Sequence, residues 1–143
     1  MPLGIRTYAQ RQRADRLARD EQSSLARALL QESLPRRWAH VQGVATKARS
    51  LAPVLGADAD LLEAAASPHD IGNARGLADT GLHALDGARY LRDAQHTDAT
   101  LCRLVAHHSY AIIEADERGL ADVLGREFAP TPYGLSSVRL TAT

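Results

Sequence analysis

Six histidines, His40, His69, His83, His96, His107 and His108, are the residues of this sequence best suited to chemistry, and two of the sets are adjacent pairs: His69-Asp70 and His107-His108. Neutral imidazole combined with carboxylate suits zinc, manganese or iron, whereas a site made of carboxylates alone would favour magnesium or calcium. The mixture points to a transition metal. Any one histidine taken singly is more often a packed or solvated side chain than a ligand. Adjacent residues on a regular helix also point about 100° apart, so two ligands from one pair require a helix end or two metals. Five of the six histidines fall at or near the ends of expected helices, where side chains from different elements can converge. The residues alone therefore yield a helical domain with a candidate His/Asp metal site.

The elements that must position these groups are helices. Ala, Leu and Arg dominate, β-branched runs are nearly absent, and Phe and Trp occur once each, a composition that favours helix over strand. The expected class is all-α, a single helical bundle. Gln10 to Glu21 is strongly charged with Leu17 as its only large apolar residue, and reads as a solvated helix or loose extension. Ser23-Ser24 is expected to break it, and a short packed helix carrying Leu25, Leu29 and Leu30 follows. Ser33 is the expected cap and Pro35 the start of the next helix, whose apolar stripe runs through Trp38, Val41, Val44, Ala48 and Leu51 to a stop at Gly56. Asp60 and Glu63 resemble a capping box ahead of a small Ala-rich helix that leads into His69-Asp70. Gly72, Gly76 and Gly81 mark an irregular connection beside the site. A helix then carries Leu85, Ala88 and Leu91, and another, capped by Asp98, ends in His107-His108. Glu114 to Leu124 reads as one further helix closed by Gly125. Residues 1–22 form a charged extension in this reading, 23–128 the helical domain and 129–143 an irregular tail.

Composition narrows the function classes. Seventeen basic and seventeen acidic residues cancel, so no strong overall field draws nucleic acid or an anionic membrane surface. No apolar stretch approaches the roughly 20 residues of a bilayer-spanning helix, and no signal-peptide core follows Arg6. A cytoplasmic protein with no nucleic-acid and no membrane partner is expected. Cys102, the one cysteine, reads as a small core residue, Trp38 as a packing residue, His96 as solvent-exposed, and Tyr110 as a core-side neighbour of the histidine pair.

A histidine in a helix, then His-Asp-Ile-Gly, then a histidine ahead of Leu-x-Gly-Ala-x-x-Leu, then His-His, resembles the HD and HDIG superfamily of phosphohydrolases. Here these are His40, His69-Asp70-Ile71-Gly72, His83 before Leu85-Asp86-Gly87-Ala88-Arg89-Tyr90-Leu91, and His107-His108. The resemblance covers about 34–128. It implies an HD-type bundle in which His40, His69 and Asp70 form the principal metal set, with Asp70 able to bridge two ions. His83, His107 and His108 would hold the second. The implied cofactor is one or two divalent transition ions (Mn, Fe, Zn, Co or Ni), and the implied reaction is hydrolysis of a nucleotide or other small phosphoester by a metal-activated water. Asp70 and His69 would be the catalytic pair, with Arg75 and Arg37 as candidates for the substrate's phosphate.

Three departures from the family pattern open a second reading. The family closes its site with an aspartate on a later helix, and no aspartate follows Asp122. Pro68 stands before His69, where a helix interior would lose a hydrogen bond at a cost of about 3 kcal/mol. Asn73 stands where many HDIG members have lysine. The second reading is a degenerate HD-fold domain that binds a nucleotide or protein partner without catalysis. A third, an interaction module recruited through Gln10 to Glu21, meets the objection that this segment lacks an apolar face.

Overall fold

Helix follows helix in the computed structural model, which describes residues 7–108 and 111–130; Tyr110 and 131–143 of the expected tail lie outside them. The elements are α1 (Tyr8–Leu30), α2 (Pro35–Ser50), α3 (Ala52–Leu55), α4 (Ala59–Ala66), α5 (His83–Asp93), α6 (Ala99–Ala106), α7 (Ala111–Glu117) and α8 (Ala121–Glu127), with short 3-10 turns at Gly56–Asp58 and Ile71–Asn73. There is no strand among the described residues. The fold is all-α, as the composition requires.

Helix α1 runs unbroken through Ser23-Ser24. Its start is fixed by a capping box in which Thr7 and Gln10 exchange side-chain and backbone hydrogen bonds, an arrangement that satisfies two otherwise orphaned amides. The reason it continues is tertiary: Gln22, Ala26 and Leu30 are buried at helical spacing, and Ala18 packs with Ala64, Ala65, Leu101 and Leu104. Polar residues in an exposed helix face cost a few tenths of a kcal/mol each, and such packing overrides that. The charged half is also tied down, because Arg19 pairs with Asp60 at 2.9 Å.

The expected caps at two helix starts are replaced by other contacts. Ser33 Oγ donates to the Leu29 carbonyl and so closes α1, while α2 begins on Pro35 without a side-chain cap. Asp60 and Glu63 do not form a box on α4; they bind Arg19 and Arg49. Pro53 lacks the N–H that would continue α2, which is why the chain restarts as α3 and turns at Gly56 with φ +57°. The helix expected over Glu114 to Leu124 is two: Gly119 takes φ +71° between α7 and α8, and Gly125 lies inside α8.

Helix α4 lies at the centre, packed against α1, α2 and α6. Its alanines Ala64, Ala65 and Ala66 are fully buried, and their small size is what lets three helices approach it closely. The main core joins Leu30, Val41, Ile71, Leu82, Leu85, Leu91, Val105, Leu124 and Phe128. Truncating one of these leucines to alanine typically costs about 2–5 kcal/mol.

Helix α8 is fastened to α5 by charge. Glu127 accepts from Arg89 at 3.0 and 2.6 Å and from Arg92 at 2.8 Å, and the Arg92 guanidinium lies over the Phe128 ring. The bonds from Arg89, then those from Arg92, outweigh burial and hold the Glu127 carboxyl down to about 2 from its ordinary 4.5. The unfolded chain takes up this proton before the folded one does, so the contribution is complete above about pH 4.5 and is lost as pH falls toward 2. Glu127→Gln is therefore expected to be less stable than the parent at neutral pH, with the difference shrinking through that window in urea denaturation. A difference that stays constant from pH 7 to pH 2 would contradict the assignment.

Candidate metal centre

Helix α4 ends at Ala66, and Ser67 to Asp70 form a turn. Pro68 thus lies beyond the helix, where its missing N–H breaks no helical bond, and its carbonyl accepts from Ile71 N at 3.1 Å. The penalty expected for a proline in mid-helix does not arise. Asp70 has φ −108° and ψ 5°, off the helical geometry, and this frees His69 and Asp70 from pointing 100° apart. Both are buried and both face the same centre.

That centre is built around the Asp70 carboxylate. Oδ2 lies 3.4 Å from His69 Nε2 and 3.7 Å from His40 Nε2, while Oδ1 lies 3.3 Å from His83 Nε2. His83 Nε2 is in turn 3.2 Å from His108 Nε2. Two sets of ligand atoms result, His40/His69/Asp70 and Asp70/His83/His108, each with all atoms within 4.8 Å of one another. Asp70 is common to both.

The rings are aimed by the backbone. His69 Nδ1 lies 2.5 Å from the Ala66 carbonyl and His108 Nδ1 2.5 Å from the Val105 carbonyl, both three residues back at a helix end. A carbonyl can only accept, so each ring carries its proton on Nδ1 and turns a bare Nε2 lone pair to the centre. Burial pushes the His69 pKa down, against the opposing pull of Asp70 and the Ala66 carbonyl. Burial, reinforced by His69, pushes His108 down to about 3. Both are neutral at pH 7. For Asp70, burial would raise the pKa, but the imidazoles of His69, His83, His108 and His40 together hold it below 3.8. The neutral imidazoles of His69 and His108 beside the ionised Asp70 carboxylate are in the protonation states that a metal requires.

The spacing agrees with the chemistry. Ligands bonded at about 2.1 Å and separated by 90–110° stand about 3.0–3.4 Å apart, and the measured separations begin in that range. The donor set could hold a divalent metal ion, through His40, His69 and Asp70 as one group and Asp70, His83 and His108 as the other.

The second half of the site depends on a close approach between backbone segments. Gly72 sits against the start of α5 so tightly that a Cβ there would come 2.0 Å from the His83 carbonyl oxygen, and a Cβ on Gly87 would come 3.2 Å from Gly72 N. The glycines of the two sequence motifs are what bring His83 to Asp70. Asp86, buried, accepts from the amides of Asp79 and Thr80 and from the Thr80 hydroxyl, pinning the loop that leads into His83. Asp86 was not singled out as important by the sequence; its only signal was a carboxylate within an otherwise apolar helix face. Asn73 Nδ2 donates to the Asp70 carbonyl at 3.1 Å.

Of the six histidine and aspartate positions expected as ligands, five meet here. His107 is set apart: its Nε2 bonds the Phe128 carbonyl, so the ring ties the end of α6 to the end of α8. His107→Gln is accordingly expected to lower stability while leaving the metal content unchanged, whereas His108→Gln lowers metal content. Elemental analysis of the two variants checks this, and an equal loss of metal in both would contradict it. Arg37 Nη1 lies 3.9 Å from Asp70 Oδ2 and is half exposed. Arg75 is exposed and makes no hydrogen bond or ion pair among the described residues. Asp122 is exposed on α8 and belongs to neither ligand set. Cys102 is buried, and burial raises its thiol to about 11, which suits packing and not nucleophilic attack.

Fold and site together define an all-helical domain organised around a His/Asp candidate metal centre. A family model described as HD domain matches residues 37–133; this is more than half of the chain, which belongs to the HD domain family and so falls within the HD-domain metal-dependent phosphohydrolase superfamily. Searches among curated proteins and among solved structures found no match. No helix among the described residues is long and apolar enough to cross a membrane.

Proposed function

We propose that this protein is a metal-dependent phosphohydrolase acting on a nucleotide or another small phosphoester. The observation that carries the reading is the convergence of three imidazole Nε2 atoms, of His40, His69 and His83, on the two oxygens of Asp70, with His108 Nε2 3.2 Å from that of His83. His40, His69, Asp70, His83 and His108 would hold a divalent transition ion, which would supply a water of lowered pKa and charge neutralisation for phosphoryl oxygens. The chain's own residues supply the rest. His69, His108 and Asp70 form the buried wall, while His40 and His83 are partly exposed at the rim, which gives the side from which substrate enters. Arg37 stands at that rim and donates to a phosphate oxygen of the incoming substrate, offering the paired N–H geometry that phosphate accepts. Arg75 has no such position.

A second reading, an HD-fold domain that binds its ligand without turning it over, is favoured by one observation: no aspartate from a later described helix reaches either ligand set. The experiment that separates them is elemental analysis of the purified protein joined to turnover of a generic phosphomonoester with added manganese. One or two equivalents of a transition metal with turnover is the expected result. Metal without turnover across a panel of phosphomonoesters and nucleotides supports the second reading, and no metal after supplementation overturns the first.

A further inference from the structure

We propose that Asp86 and Thr80 are the positioning residues of the second ligand group: they fix the backbone from which His83 reaches Asp70, and tight retention of a second ion depends on them. The inference rests on the metal-centre reading above and gives these two side chains a part in it.

His69 and His108 are aimed by their Nδ1 bonds to carbonyls behind them, and His40 is carried in the body of α2. His83 has neither support. Its Nδ1 makes no hydrogen bond among the described residues, while its Nε2 faces Asp70 Oδ1 at 3.3 Å and His108 Nε2 at 3.2 Å. It is also the first residue of α5, and Leu82, at the cap position, supplies no side-chain acceptor. Amides at a helix start have no partner within the helix. The direction of the His83 side chain is therefore set by whatever holds the residues just before it.

Asp86, within the first turn of α5 and 4% exposed, holds them. Its Oδ2 accepts from Asp79 N at 2.9 Å and its Oδ1 from the Thr80 hydroxyl at 2.9 Å, with Thr80 N 3.1 Å from both oxygens. An ionised carboxylate can only accept, and both its oxygens are spent on this loop. The Thr80 hydroxyl, having donated to Asp86, accepts from Leu82 N at 3.1 Å, and Asp86 N donates to the Leu82 carbonyl at 3.0 Å. The bonds close a ring from Asp86 through Thr80 and Leu82 back to Asp86. It holds both peptide groups flanking Leu82, the second of which joins Leu82 to His83. Gly81, at φ +85°, gives the turn that this ring needs. Two other contacts bear on His83: the Leu82 side chain lies in the core, and Gly72 limits how near α5 can come. Apolar burial has no direction of its own, and a steric limit only bars approach. The orientation of the Leu82–His83 peptide falls to the ring of hydrogen bonds.

Asp86→Ala would strand three donors and test the fold as much as the site. Thr80→Val keeps the shape of the side chain and removes only the hydroxyl, and Thr80→Ser restores it. Manganese is titrated by calorimetry into the metal-free, full-length protein, after circular dichroism of each variant. The parent is expected to take up two ions. Thr80→Val is expected to keep one at the parent's affinity and to bind the other at least tenfold more weakly, whereas Thr80→Ser behaves as the parent. Asp86→Asn, which keeps one acceptor oxygen, weakens the same ion. In EDTA the Leu82 amide exchanges its hydrogen faster in Thr80→Val than in Thr80→Ser. Two ions held by Thr80→Val as tightly as by the parent, or both weakened equally, overturn the proposal. A parent that takes up a single ion also overturns it and leaves the metal centre standing, and one that takes up none overturns both.

Discussion

Asp70→Asn is expected to lose bound metal and phosphomonoester turnover together, with turnover falling by about a thousandfold or more, while the metal-free protein stays folded. Asparagine keeps the shape of the side chain and removes the charge that both ligand sets share. A thousandfold corresponds to about 4 kcal/mol of lost transition-state stabilisation. The metal-free fold is affected in the same direction but less. The surrounding imidazoles outweigh burial and hold the Asp70 carboxyl below its ordinary 3.8, so its ionised form stabilises the fold at neutral pH, and the neutral variant is expected to be somewhat less stable without metal while remaining folded. Metal added at about 100 times its dissociation constant stabilises the parent by about 2.7 kcal/mol, and this increment disappears in the variant. Thermal melts with and without manganese give the two stabilities, elemental analysis the bound metal and a phosphomonoester assay the turnover. A variant that keeps its full metal content would remove Asp70 from the centre.

Gly72→Ala is the second large effect, and it arises from backbone geometry. The added methyl would stand 2.0 Å from the His83 carbonyl oxygen and 2.7 Å from its carbonyl carbon, atoms that cannot rotate away. The 3-10 turn and the start of α5 must separate. Overpacking of a filled interior costs about 1–3 kcal/mol or more, and for a domain of this size about 3 kcal/mol lowers the melting temperature by about 10 °C. Because the displaced segment carries His83, turnover and metal content fall along with stability. Gly125→Ala, at a glycine whose Cβ would meet nothing within 4 Å, is the control and is expected to leave both intact. Equal behaviour of the two variants would mean that the turn and α5 are not held in contact.

The chemistry-bearing residues were more legible in the sequence than the elements that carry them. His69-Asp70 and the glycine-containing helix after His83 stand out because a tight site needs particular residue types at particular places. Asp98 was legible as a cap because its side chain accepts from Thr100 and Leu101 locally. Helix α1 was not, since the stripe that buries it includes Ala18, Gln22 and Ala26, residues too small or too polar to register as an apolar periodicity. The role of Asp60 and Glu63 was misread for a related reason: their partners, Arg19 and Arg49, lie 41 and 14 residues away. Nothing in the His107-His108 pair tells which ring turns inward. The answer depends on the Phe128 carbonyl, 21 residues further on. The split of the last helix at Gly119 was open to a sequence reading, but a glycine in an otherwise helical pattern does not announce a positive φ.

The hydrogen bonds from His69 and His108 to the carbonyls three residues behind them also bear on how the domain is assembled in a cell. Carbonyls at a helix end need donors in any case, and here the imidazoles are those donors, so their orientation is settled when α4 and α6 form. In small zinc-dependent modules, the ion organises the chain and its removal unfolds it. Here the rings are aimed by helix termination, so the metal-free protein is expected to keep its helices, and circular dichroism in EDTA matching that of the metal-supplemented protein is the expected result; loss of helix on chelation would place this chain with the zinc-dependent modules.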